Sequence, residues 1–162
     1  MENYIRIYRT SPNYSYEATM VDFNSEENQT LSFLSNTGEV PTTSSLNWGQ
    51  REHRDPNQAY IPLPSKISKT GFFPLNQRYF TVVADDGECF IMRVEQAGNK
   101  AITTPSDNAE IGRYFRNRLG IHEGVKVTKE HFEAYGRSDV TFTKLDDEHF
   151  LMDFSVVRSE ME

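Results

Sequence analysis

The alternation of apolar and polar residues along this chain predicts a mostly β structure built from short strands. Two hairpins are expected, one joining residues 79–83 to 88–94 and one joining residues 139–144 to 148–154. The first turns at Asp85-Asp86-Gly87, and Asp-Gly between alternating runs is the strongest short-range hairpin signal. Further short strands are expected at residues 4–8, 31–34 and 59–64.

A helical period with clear end signals occurs once. Asp107 and Glu110 have the spacing of a capping box, and Gly120 is a typical helix end. The apolar face between them is formed by Ile111, Tyr114, Phe115 and Leu119. Shorter helices are expected at residues 66–70 and 128–136. Short strands with two or three short helices indicate a mostly β barrel or sandwich.

The segment from residue 45 to residue 61 breaks this pattern because it has almost no aliphatic residues. It contains two Asn, two Gln, two Arg, one His and the only Trp of the chain, and Gly49 and Pro56 interrupt any regular period. Arg pairs with guanine, and Asn or Gln with adenine, through two hydrogen bonds. The segment is therefore either a base-reading surface or an ordinary polar loop with Trp48 packed beneath it. A second polar loop spans residues 96–106.

Charge and cysteine content narrow the choice of partner and compartment. The net charge of −7 argues against nucleic-acid binding by bulk attraction, although residues 41–100 carry seven basic and six acidic groups. A binder with this balance would depend on base contacts more than on phosphate contacts. The single Cys89 suits a reducing cytoplasm, and neither a signal peptide nor an apolar run of membrane-spanning length occurs. We therefore expect a cytoplasmic protein that does not enter a membrane.

Catalytic chemistry has little support in these residues. The histidines, at positions 53, 122, 131 and 149, lack metal-ligand spacing, and no phosphate-binding loop or nucleophile motif occurs. Asp85 and Glu88, with Arg93 nearby, only weakly imitate the carboxylates of a metal-dependent nuclease. We expect no catalytic residue, no metal and no cofactor. A hydrolase that uses Asp85 and Glu88 is the alternative.

Several motifs, in order along the chain, resemble the C-terminal DNA-recognition domain of the NgoFVII-type restriction endonucleases. They lie at residues 37–41, 45–51, 56–62, 64–74, 111–120 and 135–142, and Leu46-Asn47-Trp48-Gly49-Gln50-Arg51 is representative. Two departures occur, since Ser45 stands where the family has glycine and Glu52-His53 stand where it has Pro-Gly. The family is similar to the plant B-three transcription-factor domain and to the EcoRII effector and BfiI C-terminal domains.

The resemblance implies a seven-stranded open β-pseudobarrel with two or three short helices at residues 29–156. Residues 1–28 would form a linker or N-terminal extension, and residues 157–162 a flexible tail. Full-length members resemble phospholipase-D-type nucleases in another domain, through a His-x-Lys motif that these 162 residues lack. The chain would then be either the excised DNA-recognition module of a bacterial restriction-modification enzyme or a stand-alone protein that binds DNA without cutting it.

The resemblance also implies that two arms, residues 44–58 and 98–108, read a short double-stranded sequence in the major groove. The residues expected to contact bases are Asn47, Gln50, Arg51, Arg54, Asn57, Gln58, Thr104, Asp107 and Asn108. Those expected to contact phosphates are Ser44, Lys66, Lys69, Lys100, Arg113 and Arg116. Trp48 is expected to support the first arm. The alternative is a small β-barrel that binds a protein or peptide with Trp48 as its aromatic anchor.

Overall fold

The computed structural model describes residues 4–8, 18–22 and 27–157. Within these residues the strands are β1 (Tyr4–Tyr8), β2 (Ala18–Asp22), β3 (Asn28–Ser32), β4 (Ile61–Pro62), β5 (Tyr79–Ala84), β6 (Cys89–Glu95), β7 (Ala101–Thr103), β8 (Asp139–Asp146) and β9 (His149–Asp153). The helices are α1 (Ser65–Ser68), α2 (Asn108–Leu119) and α3 (Lys129–Tyr135), and one turn of 3-10 helix covers Ser45–Asn47.

Seven of these strands form one sheet in the order β3-β8-β9-β5-β6-β7-β4. Neighbouring strands are antiparallel, with the exception of β5 and β9, which run parallel. The two edge strands, β3 and β4, approach each other, so the sheet nearly closes on itself. The predicted fold, an open seven-stranded pseudobarrel with short helices, is confirmed.

Phenylalanine is the most frequent residue of the buried core, with ten buried side chains among the described residues. Alternate residues of β5 and β6 point inward and are buried, as the period of two along a strand requires. Phe73 lies at the centre of an aromatic cluster with ring centroids 5.1 to 5.8 Å from those of Phe80, Phe142 and Phe150. Phenylalanine rings therefore contribute a large part of the core, together with aliphatic side chains.

Both predicted hairpins are present. β5 and β6 pair in a register that matches Val83 with Cys89 across the Asp-Gly turn, and β8 and β9 pair with an irregularity between Lys144 and Asp146. The parallel contact between β5 and β9 joins one hairpin to the other. This contact could not be predicted from the sequence, because each hairpin is indicated by its own turn alone.

Other elements differ from the prediction in extent. β3 begins at Asn28, and β4 has only the two residues Ile61–Pro62 in place of an extended strand over 59–64. β7 lies inside the segment 96–106 that was predicted to be a loop. The strand expected at residues 4–8 exists and pairs with β2 in a separate two-stranded sheet. Of the predicted tail, residues 158–162 lie outside the described residues.

The helix α2 has the predicted ends. The Asp107 carboxylate accepts a hydrogen bond from the backbone N–H of Ala109 at 3.0 Å, and Gly120 ends the helix with a φ of 76°. Ile111 and Phe115 are buried against the barrel. No helix among the described residues is long and apolar enough to cross a membrane.

Candidate nucleic-acid interface

The first arm, residues 44–58, folds back on itself between the 3-10 turn and β4. The N–H of Gly49 donates to the carbonyl of Gln58 at 2.8 Å, and the N–H of Gln58 donates to the carbonyl of Asp55 at 3.0 Å. A Cβ atom added to Gly49 would lie 2.0 Å from the Asp55 carbonyl oxygen. Glycine at this position therefore allows the two halves of the arm to meet.

Asn47 holds the arm and does not face outward. Its side chain is 1% exposed, and its amide nitrogen donates to the carbonyls of Pro41 (2.9 Å) and Val127 (2.8 Å). Its amide oxygen accepts from the N–H of Val127 at 2.8 Å. The predicted base contact of Asn47 is inconsistent with this burial, because the groups that would pair with a base already bind main chain.

Arg116 was predicted to contact phosphate from the outer face of α2, and its position contradicts that prediction. The side chain is fully buried and donates to the carbonyls of Val125 (2.8 Å), Leu46 (3.0 Å) and Pro56 (3.3 Å). Among residues 27–157 its partners are carbonyl and amide oxygens, without a carboxylate. Burial lowers the pKa of the guanidinium, but arginine stays charged in proteins. Arg116 therefore fastens both ends of the first arm to α2.

A connector, residues 121–128, forms the support behind the arm. The Gln50 amide nitrogen donates to the carbonyls of Pro56 (3.0 Å) and Gly124 (3.1 Å), and the Asn57 side-chain oxygen accepts from the N–H of Gly124. α2 also lies against the arm, because a Cβ added to Gly112 would be 1.6 Å from the Asn57 carbonyl oxygen. Gln50 and Asn57 thus use part of their hydrogen-bonding capacity within the arm.

The outward part of the arm carries two arginines that make different contacts. The Arg54 guanidinium lies 4.2 Å from the centroid of the Trp48 ring, and its Nε donates to the Gln58 side-chain oxygen at 2.8 Å. Trp48 in turn packs edge-on against Tyr60, with the ring centroids 5.7 Å apart. Arg51 is exposed and donates to the carbonyl of Thr43. Trp48 supports the arm in this arrangement, as was expected of it.

The second arm, residues 98–108, is more buried than its polar composition suggested. Thr104 is 2% exposed, and its hydroxyl donates to the carbonyl of Asp107 at 2.7 Å, so the predicted base contact of Thr104 is inconsistent with the structure. Asp107 caps α2 and forms an ion pair with Arg113 at 2.6 Å, and the hydrogen bond from Arg113 holds the pKa of Asp107 below its usual range. Asn108 is half-buried, and its carbonyl accepts from the N–H of Ala59, which joins the bases of the two arms.

A polar cavity of about 420 Å³ beside the second arm was not identified from the sequence. Four amide-bearing residues line it, all with left-handed backbone φ of 56° to 71°: Asn76, Gln77, Gln96 and Asn99. Asn is a favoured residue in left-handed turns, and Gly98 lies in the same turn as Gln96 and Asn99. The clustering of turn residues at 96–99 is the available sequence signal, and it predicts a loop but not a cavity.

The candidate phosphate contacts lie in two places. Lys66 and Lys69 are exposed on and just after α1, and Lys100 is exposed beside them, since its carbonyl accepts from the N–H of Leu63 at 2.8 Å. Arg113 lies on α2 in its ion pair with Asp107, so a phosphate would compete with a carboxylate for it. Ser44 is half-buried next to the 3-10 turn.

The carboxylates of the hydrolase alternative have structural partners. The two oxygens of Asp85 accept from the two terminal nitrogens of Arg118 at 3.0 and 2.8 Å, and one of them also accepts from the N–H of Phe154. Arg93 pairs with Glu95 and not with Glu88. In the described part of the chain no group of three His, Cys, Asp or Glu side chains is arranged to hold a metal ion. Arg118 therefore binds the β5–β6 turn to α2, and Asp85 has a structural role there.

Comparison with known families and structures bears on what these arms do. The family model described as the NgoFVII C-terminal B3-like DNA-binding domain matches residues 21–146. A solved structure of a hypothetical protein from Arabidopsis thaliana is similar at 12% identity, with 78% of this chain and 86% of that chain covered and a TM-score of 0.37. A likeness at that TM-score carries no conclusion. Comparison with curated proteins gave no match.

Proposed function

Because the chain belongs to the family of NgoFVII C-terminal B3-like DNA-binding domains, we propose that it recognises a short double-stranded sequence in the major groove with its two arms. The family is a DNA-binding one and not a catalytic one, so DNA is the partner of this chain. The arms would supply the specificity, and a nuclease domain of the phospholipase-D type in the parent restriction enzyme would supply cleavage. Such an enzyme acts on DNA in the bacterial cytoplasm.

The observation that carries this proposal is the way the first arm is held. The two ends of the first arm, at Leu46 and Pro56, are tied to the distant residue Val125 by the one buried side chain of Arg116. A loop that is fixed from behind presents its outward side chains in a defined arrangement, and this preorganisation favours specific binding. An ordinary surface loop would not need a buried cation beneath it.

The base-reading groups that we propose are those that remain accessible. On the first arm they are Gln50, Arg54 and Asn57, while Arg51 and Gln58 are bound within the arm and would hold it in shape. On the second arm they are Asp107 and the turn at Gln96 and Asn99 that borders the polar cavity, whereas Asn108 is half-buried and its side-chain oxygen is buried. Lys66, Lys69, Lys100, Arg113 and Ser44 would hold phosphates. The peptide-binding alternative loses its anchor, because Trp48 is half-buried between Tyr60 and Arg54.

The test of this proposal is binding to duplex DNA as a function of salt. A labelled library of random duplexes should bind at low salt, and repeated selection should enrich one short motif. Replacing Lys66 or Lys69 with alanine should weaken binding to all duplexes alike and reduce the slope of log K against log salt by about one. Lys129→Ala, at an exposed lysine that begins α3, is the matched control and should leave the slope unchanged. Failure to bind any duplex at low salt would overturn the proposal.

A further inference from the structure

We propose that Arg54 reads a guanine of the recognised sequence and that Arg51 does not, although both are arginines of the same arm. Trp48 and Gln58 would be positioning residues that fix the Arg54 guanidinium before DNA arrives. The inference rests on the proposed function, since it assigns one base type within the sequence that the arms recognise.

Arg54 is held by two different contacts. Its guanidinium lies over the Trp48 ring at 4.2 Å, and its Nε is bonded to the Gln58 oxygen at 2.8 Å. The two terminal nitrogens, Nη1 and Nη2, have no hydrogen-bond partner among residues 27–157. They form a planar fork of donors, and guanine presents the matching pair of acceptors, O6 and N7, in the major groove.

Arg51 is held differently, by a single main-chain carbonyl. Its Nε and one terminal nitrogen both donate to the carbonyl of Thr43, at 3.3 and 2.9 Å. This contact uses one side of the guanidinium and leaves other N–H groups of Arg51 free. Among residues 27–157 no aromatic ring stacks on Arg51, so the plane of its guanidinium is not fixed by a second contact as that of Arg54 is. Arg51 therefore closes the arm against the segment that precedes it and is less preorganised to read a base.

The charges around Arg54 favour a base over a phosphate. Arg51 and Arg54 are accompanied by the carboxylates of Glu52 and Asp55, both on exposed residues, so the outward part of the arm is close to neutral. A phosphate would be repelled by these two carboxylates, whereas the acceptors of guanine carry no net charge. Contacts with phosphates carry no sequence information. A guanidinium held in a fixed position at a neutral tip is better suited to contact a base.

The experiment compares guanine with 7-deazaguanine, in which the N7 acceptor is replaced by a C–H group. The wild-type protein is first used to select a motif from random duplexes, and 7-deazaguanine is then placed at each guanine in turn. At one position it should weaken wild-type binding about tenfold. Arg54→Ala should bind the natural duplex about tenfold more weakly and should no longer distinguish the two bases at that position. Arg51→Ala should retain the distinction.

Arg54→Met covers the case in which the alanine variant does not fold. Methionine keeps an unbranched side chain against Trp48 but has no donor for the N7 acceptor, so the distinction between the two bases should be lost. The assignment is overturned if either Arg54 variant keeps the distinction, if Arg51→Ala loses it, or if Arg54→Ala weakens every duplex equally. A wild-type selection that yields no motif would instead overturn the proposed sequence-specific function itself.

Discussion

Two residues of the first arm adopt a left-handed backbone conformation that glycine reaches at lower cost. Ser45 has a φ of 55° and His53 a φ of 64°. These are the positions at which the family resemblance places glycine, which fits a left-handed backbone. A residue other than glycine costs about 1–3 kcal/mol in such a conformation. Ser45 adds to this cost, because its buried hydroxyl has no hydrogen-bond partner.

Ser45→Gly is therefore expected to stabilise the protein by about 1 kcal/mol, since it removes backbone strain and an unsatisfied hydroxyl together. Urea unfolding followed by tryptophan fluorescence would measure the change in the free energy of unfolding. Ser44→Gly is the matched control, because Ser44 has an extended φ of −142°. Glycine there gains only freedom in the unfolded chain and should destabilise by roughly 0.5–1 kcal/mol. Shifts of the same sign in both variants would contradict the assignment of strain.

At the scale of elements, α2 does more than cover the barrel. Its inner face packs Ile111 and Phe115 into the core, and Arg116 reaches beneath the first arm. At Gly112 the helix approaches the arm so closely that the Asn57 carbonyl occupies the place of a side chain. The helix and the first arm are therefore in direct contact, and a change in the helix is expected to shift the arm.

Gly112→Ala should lower stability by about 1–3 kcal/mol, although alanine is the better helix former, because the added methyl group displaces the main chain at Asn57. DNA affinity should fall with it, since the arm would shift. Asn117→Ala, at an exposed position of the same helix, tests helix propensity alone and should be neutral or slightly stabilising. The urea midpoints of the two variants, each compared with that of the wild-type protein, measure these changes in stability. An unchanged midpoint for Gly112→Ala would show that the arm yields without cost.

Sequence patterns identified the elements better than the contacts between them. The hairpins and the ends of α2 follow from local chemistry at Gly87, Asp107 and Gly120, and all three were predicted. Arg116 was misplaced because a charged residue at a helical position normally faces solvent. Asn47 was misplaced because the property that suits an amide to a base edge also suits it to main chain. Only the tertiary arrangement distinguishes these two uses.

For the whole molecule, the net charge of −7 limits how DNA can be bound. Bulk attraction does not favour the complex, and the candidate phosphate contacts are few. We therefore predict that affinity depends on base contacts, and that a modest affinity for random duplex falls further as salt rises.

The chain by itself is expected to leave DNA intact. Supercoiled plasmid incubated with the protein, with and without magnesium, should remain supercoiled on an agarose gel, because the carboxylates at Asp85 and Asp86 are engaged by Arg118 and Tyr114. Asp85→Asn serves as the control for trace nuclease. Nicking that accompanies the pure protein and disappears in Asp85→Asn would contradict the prediction and restore the hydrolase alternative.

The fastenings of the first arm have a consequence for how its specificity could diversify. Asn47, Gln50, Asn57 and Arg116 grip mostly backbone carbonyls and N–H groups, which every residue type provides. Positions 52 and 54 at the tip can therefore exchange side chains while the frame that carries them stays the same, whereas Arg51 binds Thr43 and His53 has a left-handed φ. A lineage under selection for a new site, or a combinatorial library built on this scaffold, could vary these two positions and retain the fold.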